Sequence, residues 1–431
     1  MHMARTGDNG SRLYRITLCA GAVLLLAVCV YNLARLWLDS RPYLVHYTNT
    51  CTLAGLFAIA AGVMGYWTYR TTGTLAGDLR HAMRHHPHRF AVLCAIALLA
   101  LIAGACEVTF AILLHRGAPT IVRTATPSPQ EVADEARGYQ PLPSATSHVV
   151  KTMNGKPVYD VVYTTDAAHR RITPSSADRP GETIVLFFGC SHTFGVGVND
   201  NETLPHYFGL HTPGLAVYNY SVGGQGPSHT LALIESGRLD ELVRDRDVIA
   251  IYTFIAPQYV RVVGGLKFVT RWGANSPCYE LDDDDKPVRR GSFASHRPVR
   301  TWLWGLIAAT NTAAYYNLDW PRPGTPEQRH LVARILETSA EQLTARARSC
   351  RFYLFLPPVR LRAQPPGPLD GSLVTIVDAR DLFDSTTDPY RIWGDGHPTA
   401  VANQLLAETL AGHILDADAV PAVLGHNDAS P

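Results

Sequence analysis

Apolar residues are unevenly spread along the chain. They form three long, nearly unbroken runs at residues 16–34, 50–67 and 90–114, and only short runs after that. About 20 apolar residues suffice to cross a bilayer as a helix, so each long run predicts a transmembrane helix. The second is the richest in Gly and Ala, which suits close packing between the other two. The first ends in Arg35-Leu-Trp-Leu38 without a small-x-small cleavage site, so it reads as a retained helix rather than a signal peptide. Arg5, Arg12 and Arg15 precede the first run, and Arg70, Arg80, Arg84 and Arg89 lie between the second and third. The loop between the first two carries only Arg41, offset by Asp39. The positive-inside rule then puts the N-terminus in the cytoplasm and everything beyond about residue 115 outside it. The expectation is an integral protein of the plasma (inner) membrane with a periplasmic C-terminal domain.

Beyond the third run the pattern changes. Residues 116–147 are rich in Pro, Ser, Thr and Ala and read as a linker, with one turn of helix at 130–137. Residues 157–164 alternate as a strand does, and a second strand around 170–173 follows a turn at 165–168, which predicts a hairpin. From residue 184 onward short apolar runs alternate with helical stretches. Strands are expected at 184–188, 215–221, 247–254, 351–356 and 373–377, and helices at 204–208, 228–242, 326–349 and 401–415. Such alternation predicts an α/β domain with a mostly parallel, doubly wound sheet. Three regions result: a three-helix membrane anchor (1–115), a linker (116–147) and an α/β domain (148–425) carrying a weakly patterned insertion at 263–321.

Composition removes some classes of function. The net charge is only +1, so nothing points to nucleic acid. None of the eight cysteines forms a CxxC pair, against a structural zinc site. A Cys278–Cys350 disulfide fits an oxidising compartment, but spacing leaves it open. His81, His85, His86 and His88 cluster, but Pro87 breaks their helix and no acidic partner is near, so a basic loop is the simpler reading. Glu107, inside the third run, is either a functional intramembrane carboxylate or one that pairs locally. The run Asp282–Asp285 reads as a solvated loop.

The chemistry concentrates in Ile184-Val-Leu-Phe-Phe-Gly-Cys-Ser-His-Thr-Phe-Gly-Val-Gly197. An apolar strand runs into Gly189, and Ser191 follows at the carboxyl end of the sheet, where open α/β folds place their sites. A serine hydroxyl needs a base, and the base an orienting acid. His397, in a Gly/Pro-rich loop ahead of the last helix, is the candidate base, and Asp395 the candidate acid. His192 and His229 rank below it. The amides of Ser191 and Gly224 are candidate oxyanion donors.

Gly189-Cys-Ser-His-Thr-Phe-Gly195, Asn219-Tyr-Ser-Val-Gly-Gly-Gln-Gly226 and Asp395-Gly-His-Pro398 resemble the first, second and last sequence blocks of the SGNH (GDSL-type) hydrolases. The resemblance covers about residues 184–415. It implies a flavodoxin-like three-layer sandwich, Ser191 as nucleophile, Gly224 as second oxyanion donor, Asp395 and His397 as acid and base, and no metal or organic cofactor. Two positions depart from the family. Cys190 stands where Asp is usual, and the third block, Tyr252-Thr-Phe-Ile-Ala-Pro-Gln-Tyr259, lacks the Asn that supplies a third donor. Gln258 is the candidate substitute. The implied activity is a membrane-anchored esterase or O-acyltransferase acting on acyl groups, acetyl above all, of envelope glycans or lipids. The alternative is a non-catalytic glycan-binding or assembly component on the same scaffold. Tyr218, Tyr252 and Tyr259 are either core residues or sugar-stacking platforms.

Overall fold

The computed structural model describes residues 84–117, 119–127, 131–177, 181–362 and 364–424. The chain divides into two compact units, Met1–Ala118 with Ala309–Asn317, and Pro119–Ala308 with Leu318–Pro431.

In the first unit, the runs at 16–34 and 50–67 lie outside the described residues, as does His81. The third run does fold as a helix, α1 (Pro87–Gly117). Yet no helix among the described residues is both long and apolar enough to cross a membrane. This overturns the expectation of three transmembrane helices, and with it the membrane anchor and the inner-membrane and periplasmic placement drawn from them. Along α1, Glu107 interrupts the apolar run. Its carboxylate accepts from the amides of Asn311 (2.6 Å) and Thr312 (3.0 Å), the start of the short helix α5 (Asn311–Tyr315). Two orphan donors at a helix N-terminus thereby gain an anionic partner. Phe110 stacks on Tyr315 beside it, with ring centroids 4.5 Å apart. Counting apolar residues does not register a carboxylate engaged by a protein partner.

In the second unit, residues 121–141 are strands rather than linker: β1 (Ile121–Thr126), β2 (Glu131–Asp134) and β3 (Gly138–Pro141). The helical turn expected at 130–137 is instead part of the β2–β3 antiparallel pair. Asp134 accepts from the Arg137 amide at 2.7 Å and so closes the turn. β4 (Thr146–Met153) and β5 (Lys156–Thr164) form the lead-in hairpin, with β1 on the outer side of β4. The strand at 157–164 is where the alternation puts it, but its partner is β4, not 170–173. The turn is Asn154-Gly155, both with positive φ (51° and 75°), the pairing a tight primed turn requires.

The main sheet has five parallel strands in the order β12-β11-β8-β6-β7. They are β6 (Thr183–Phe188), β7 (Ala216–Asn219), β8 (Asp247–Thr253), β11 (Ser349–Leu356) and β12 (Val374–Asp378). Counted within the sheet this is 2-1-3-4-5, the flavodoxin-type doubly wound order. Side chains alternate between its faces. Ile184, Leu186, Ala250, Tyr252 and Leu354 pack with the helices α4 (Pro227–Glu235) and α6 (Pro326–Thr344). Val185, Phe187, Ile251 and Phe355 pack with α3 (Leu204–His211) and α7 (Ala400–Leu424). Each fully buried Leu, Ile or Phe of this kind contributes roughly 1.5–3 kcal/mol. The β-hairpin forms its own cluster, in which Val149, Tyr159, Val161 and Tyr163 meet Phe194, Val198 and Ile392.

The insertion holds a second hairpin, β9 (Pro277–Leu281) and β10 (Pro287–Ser292). The acidic run is its turn, with Asp282 accepting from the amides of Asp284 and Lys286. Cys278 and Cys350 are both free thiols, so the disulfide left open by the sequence does not form. Cys278 is buried with Phe268 and Phe293 instead.

Candidate functional site

Ser191 is placed by the turn after β6. Gly189 has φ 150°, and a Cβ there would meet the Thr193 hydroxyl at 2.7 Å and the Thr253 carbonyl at 3.2 Å. Only glycine lets the chain leave the strand this way. Cys190 is extended and fully buried, and Ser191 opens the one-turn helix α2 (Ser191–Phe194). Gly195 closes it.

The loop beyond α2 is held by a buried arginine. Arg171 is 1% exposed and donates to four carbonyls: Phe194 (2.7 Å), Gly195 (2.5 Å), Val198 (2.7 Å) and, more weakly, Val162 (3.4 Å). Its Nε donates to Asp200 at 2.9 Å, and its guanidinium lies over Tyr163 and Phe194.

The loop Asp395-Gly-His397 arrives from just ahead of α7. His397 Nε2 lies 2.8 Å from Ser191 Oγ, and His397 Nδ1 is hydrogen-bonded to Asp395 Oδ1. Burial alone would raise the Asp395 carboxyl, but the bonds and charges of His397 and Lys151 outweigh it and hold the group well below its ordinary value. An ionised Asp395 makes Nδ1 the protonated nitrogen of a neutral His397 and leaves Nε2 to accept from the serine. Three residues singled out in the sequence are thus brought into one line, 206 positions apart at the serine–histidine contact.

The second glycine loop lies beside them. Gly224 has φ 77°, and a Cβ there would meet Trp272 Nε1 at 2.5 Å and Tyr139 Oη at 2.8 Å. Three successive carbonyls of this loop are each held by a side chain. Tyr139 Oη donates to Gly223 (2.9 Å), Trp272 Nε1 to Gly224 (3.3 Å) and Arg261 Nη1 to Gln225 (2.8 Å). In a trans peptide the C=O of one residue and the N–H of the next point in opposite directions. Fixing the Gly223 carbonyl therefore fixes the aim of the Gly224 amide. Asn219 ties this loop to the serine turn, donating to the Thr193 carbonyl at 3.1 Å.

Gln258 is not brought to the serine. It is fully buried, its amide nitrogen donates to the Thr253 carbonyl (3.2 Å) and its oxygen accepts from Tyr252 (3.0 Å). The longer side chain folds back on its own strand end, so it does not serve as the substitute expected from the sequence. His229 is also core. Its Nδ1 accepts from the Gly226 amide, and burial pushes it down to about 3. Tyr252 and Tyr259 are fully buried, which removes both as stacking platforms; Tyr218 lies half-buried under Arg170. His192 stays beside the pair, its ring centroid 5.1 Å from that of His397 and its Nδ1 buried without a partner. Burial first, then His397 and Arg261, pushes it down to about 3, so it is neutral.

The residue that sequence reading missed here is Lys151 of β4. Its Nζ lies 2.5 Å from Asp395 Oδ2, with the side chains 14% and 6% exposed. A lysine in an alternating strand looks like a solvent-facing one, and its partner is 244 residues away.

Among the described residues one group has metal-ligand character: Cys278, Glu280 and His296, with ligand atoms within 4.8 Å of one another. Glu280 already accepts from Arg297 at 2.6 Å and lies 3.1 Å from His296, and burial pushes the Cys278 thiol up. That is an ion-pair network with a neutral thiol, the opposite of what thiolate ligation needs.

No family model matches the chain, and no curated protein does. Among solved structures, one matches over 57% of this chain and 99% of its own at 12% identity, with a TM-score of 0.28, a likeness too loose to carry an argument.

Proposed function

We propose that the second unit is a serine esterase or O-acyltransferase of the SGNH type, acting on ester-linked acyl groups, acetyl above all, of glycans or lipids. The observation that carries this reading is the line Ser191 Oγ–His397 Nε2–Asp395. His397 takes the hydroxyl proton as Ser191 attacks the ester carbonyl. Charge developing on the carbonyl oxygen falls to the amides of Ser191 and Gly224. His397 then returns the proton to the leaving alkoxide, leaving an acyl-serine. Water or an acceptor hydroxyl, deprotonated by the same imidazole, then attacks the acyl carbon, and the bond to Ser191 Oγ breaks as His397 hands that proton back to the serine. Asp395 holds the ring in the required tautomer and stabilises the imidazolium.

The test is labelling by a fluorophosphonate probe together with hydrolysis of a nitrophenyl acetate. Probe adduct at Ser191, absent from His397→Ala, is the expected result. A wild-type protein that takes no probe and turns over no ester sinks the reading. One observation favours a second reading, a non-catalytic glycan-binding or assembly component on the same scaffold: the Gln258 side chain is engaged with Tyr252 and Thr253, which leaves two amide donors for the oxyanion.

Tyr139→Phe gives a graded check. Removing an oxyanion donor outright costs about 100- to 1,000-fold in rate. Freeing the Gly223 carbonyl only loosens the aim of one donor, so kcat is expected to fall about tenfold with KM nearly unchanged. Steady-state kinetics on the same ester decides it; an unaltered kcat would separate Tyr139 from the oxyanion site.

A further inference from the structure

We infer that Lys151 is a positioning residue for the Ser191–His397–Asp395 line: its ammonium, brought by a strand outside the parallel sheet, fixes the Asp395 carboxylate and sets the pH range in which His397 serves as base. The inference rests on the esterase reading for its place in a reaction, but its central readout does not need turnover.

The geometry divides Asp395 between two partners. One carboxylate oxygen accepts from His397 Nδ1, the other from Lys151 Nζ at 2.5 Å. Lys151 also lies 3.5 Å from the Gly394 carbonyl, so it holds the loop as well as the acid. The ammonium sits on the wall of a cavity of about 300 Å³ whose lining includes Val222 and Gly223, the residues that lead into Gly224. The hairpin thus bonds the acid–base arm and lines the cavity that the oxyanion loop also borders.

Charge gives the contact a function beyond packing. A carboxylate beside an imidazole favours the protonated ring. A cation on its far oxygen opposes that preference, because interactions between nearby charges are only weakly screened there. Of the other charged groups, Arg360 and Arg391 line a second cavity with Asp395 and His192. His397 faces Ser191, Asp395 and the neutral ring of His192. Arg261 bonds the Gln225 carbonyl and acts on His192. β5 presents Tyr159, whose ring lies 5.9 Å from the ammonium, and Tyr163, which accepts from the Gly197 amide. Arg123 and Glu131 line the same cavity as Lys151 and Asp395. Among the described residues, Lys151 is the cation that bonds the acid's far oxygen.

The experiment is an NMR titration of the His397 ring in the full chain. Its signal is identified among the 18 histidines by its loss in His397→Gln. The acid limb of kcat/KM for ester hydrolysis is measured alongside. Lys151→Met is expected to move both midpoints up by about one pH unit, the usual order for a contacting charge. Lys151→Arg is expected to leave them near wild type. Unmoved midpoints in Lys151→Met overturn the inference, as does a shift in Lys151→Arg equal to that of Lys151→Met. A uniform loss of rate at every pH without a shift also overturns it, since that is what a merely structural role predicts. If Lys151→Met does not fold, Lys151→Gln carries the same prediction, because it keeps a donor and loses the charge. A shifted His397 in a protein that hydrolyses no ester supports the positioning role and removes the esterase reading, so the two failures are distinct.

Discussion

Ser191→Ala is expected to lower kcat/KM on a small acetyl ester by about 10⁴- to 10⁶-fold, and His397→Ala by a similar factor. The size follows from how the residues work as one unit. The alanine protein retains the two amide donors and the cavity, but no group can form the acyl intermediate. Residual catalysis from binding and oxyanion donors alone is typically about 10³–10⁴ over water. The double variant Ser191→Ala/His397→Ala is expected to be no worse than either single one, because each already disables the same step. Circular dichroism should be unchanged, since both side chains are part-buried at the site rather than in the core. If Ser191→Ala keeps more than a tenth of wild-type activity, the activity belongs to another group and the proposed mechanism is wrong. If wild type and variant are equally inactive yet bind an acetylated oligosaccharide equally, the binding-component reading is correct.

Arg171→Met is expected to cost about 3–5 kcal/mol of stability, the range for breaking a buried ion pair from one side. The methionine fills much of the volume but leaves the carbonyls of Phe194, Gly195 and Val198 without their donor and Asp200 without its cation. A domain of this kind has roughly 5–15 kcal/mol in total. The loss should therefore appear as a large drop in the urea midpoint with an unchanged slope, or as insoluble protein. Asp200→Asn is expected to be milder, because its side chain is 13% exposed and the arginine keeps its four carbonyls. A shift for Arg171→Met below about 1 kcal/mol would mean that the loop after the serine is held by packing alone. Arg171 was invisible in the sequence as anything but a hairpin residue, because its closest partners are spread over residues 194–200.

The parallel sheet was legible because its strands are buried on both faces and read as near-continuous apolar runs, as at 184–188, 248–253 and 352–356. The serine turn and the Asp395–His397 loop were legible because glycine and proline punctuate them. Residues 121–141 were not, since short half-exposed strands rich in Thr and Pro carry no period distinct from a loop. The pairing partner of β5 was misplaced even though Asn154-Gly155 is the strongest short hairpin signal in that stretch. Gln258 failed as a donor for a tertiary reason: the Thr253 carbonyl and the Tyr252 hydroxyl are within its own reach and need partners. The apolar run at 90–114 was read by counting alone, and Glu107 gained its meaning from Asn311 and Thr312.

The order in which the chain is made has a bearing on this site. The hairpin and Lys151 leave the ribosome first, the serine turn next, and the acid and base about 200 residues later. Throughout that interval Ser191 is an ordinary alcohol with no base beside it. On the proposed reading, reactivity is therefore acquired late, once the Asp395–His397 loop has docked beside Ser191. On that reading a nascent chain carries its nucleophile unarmed.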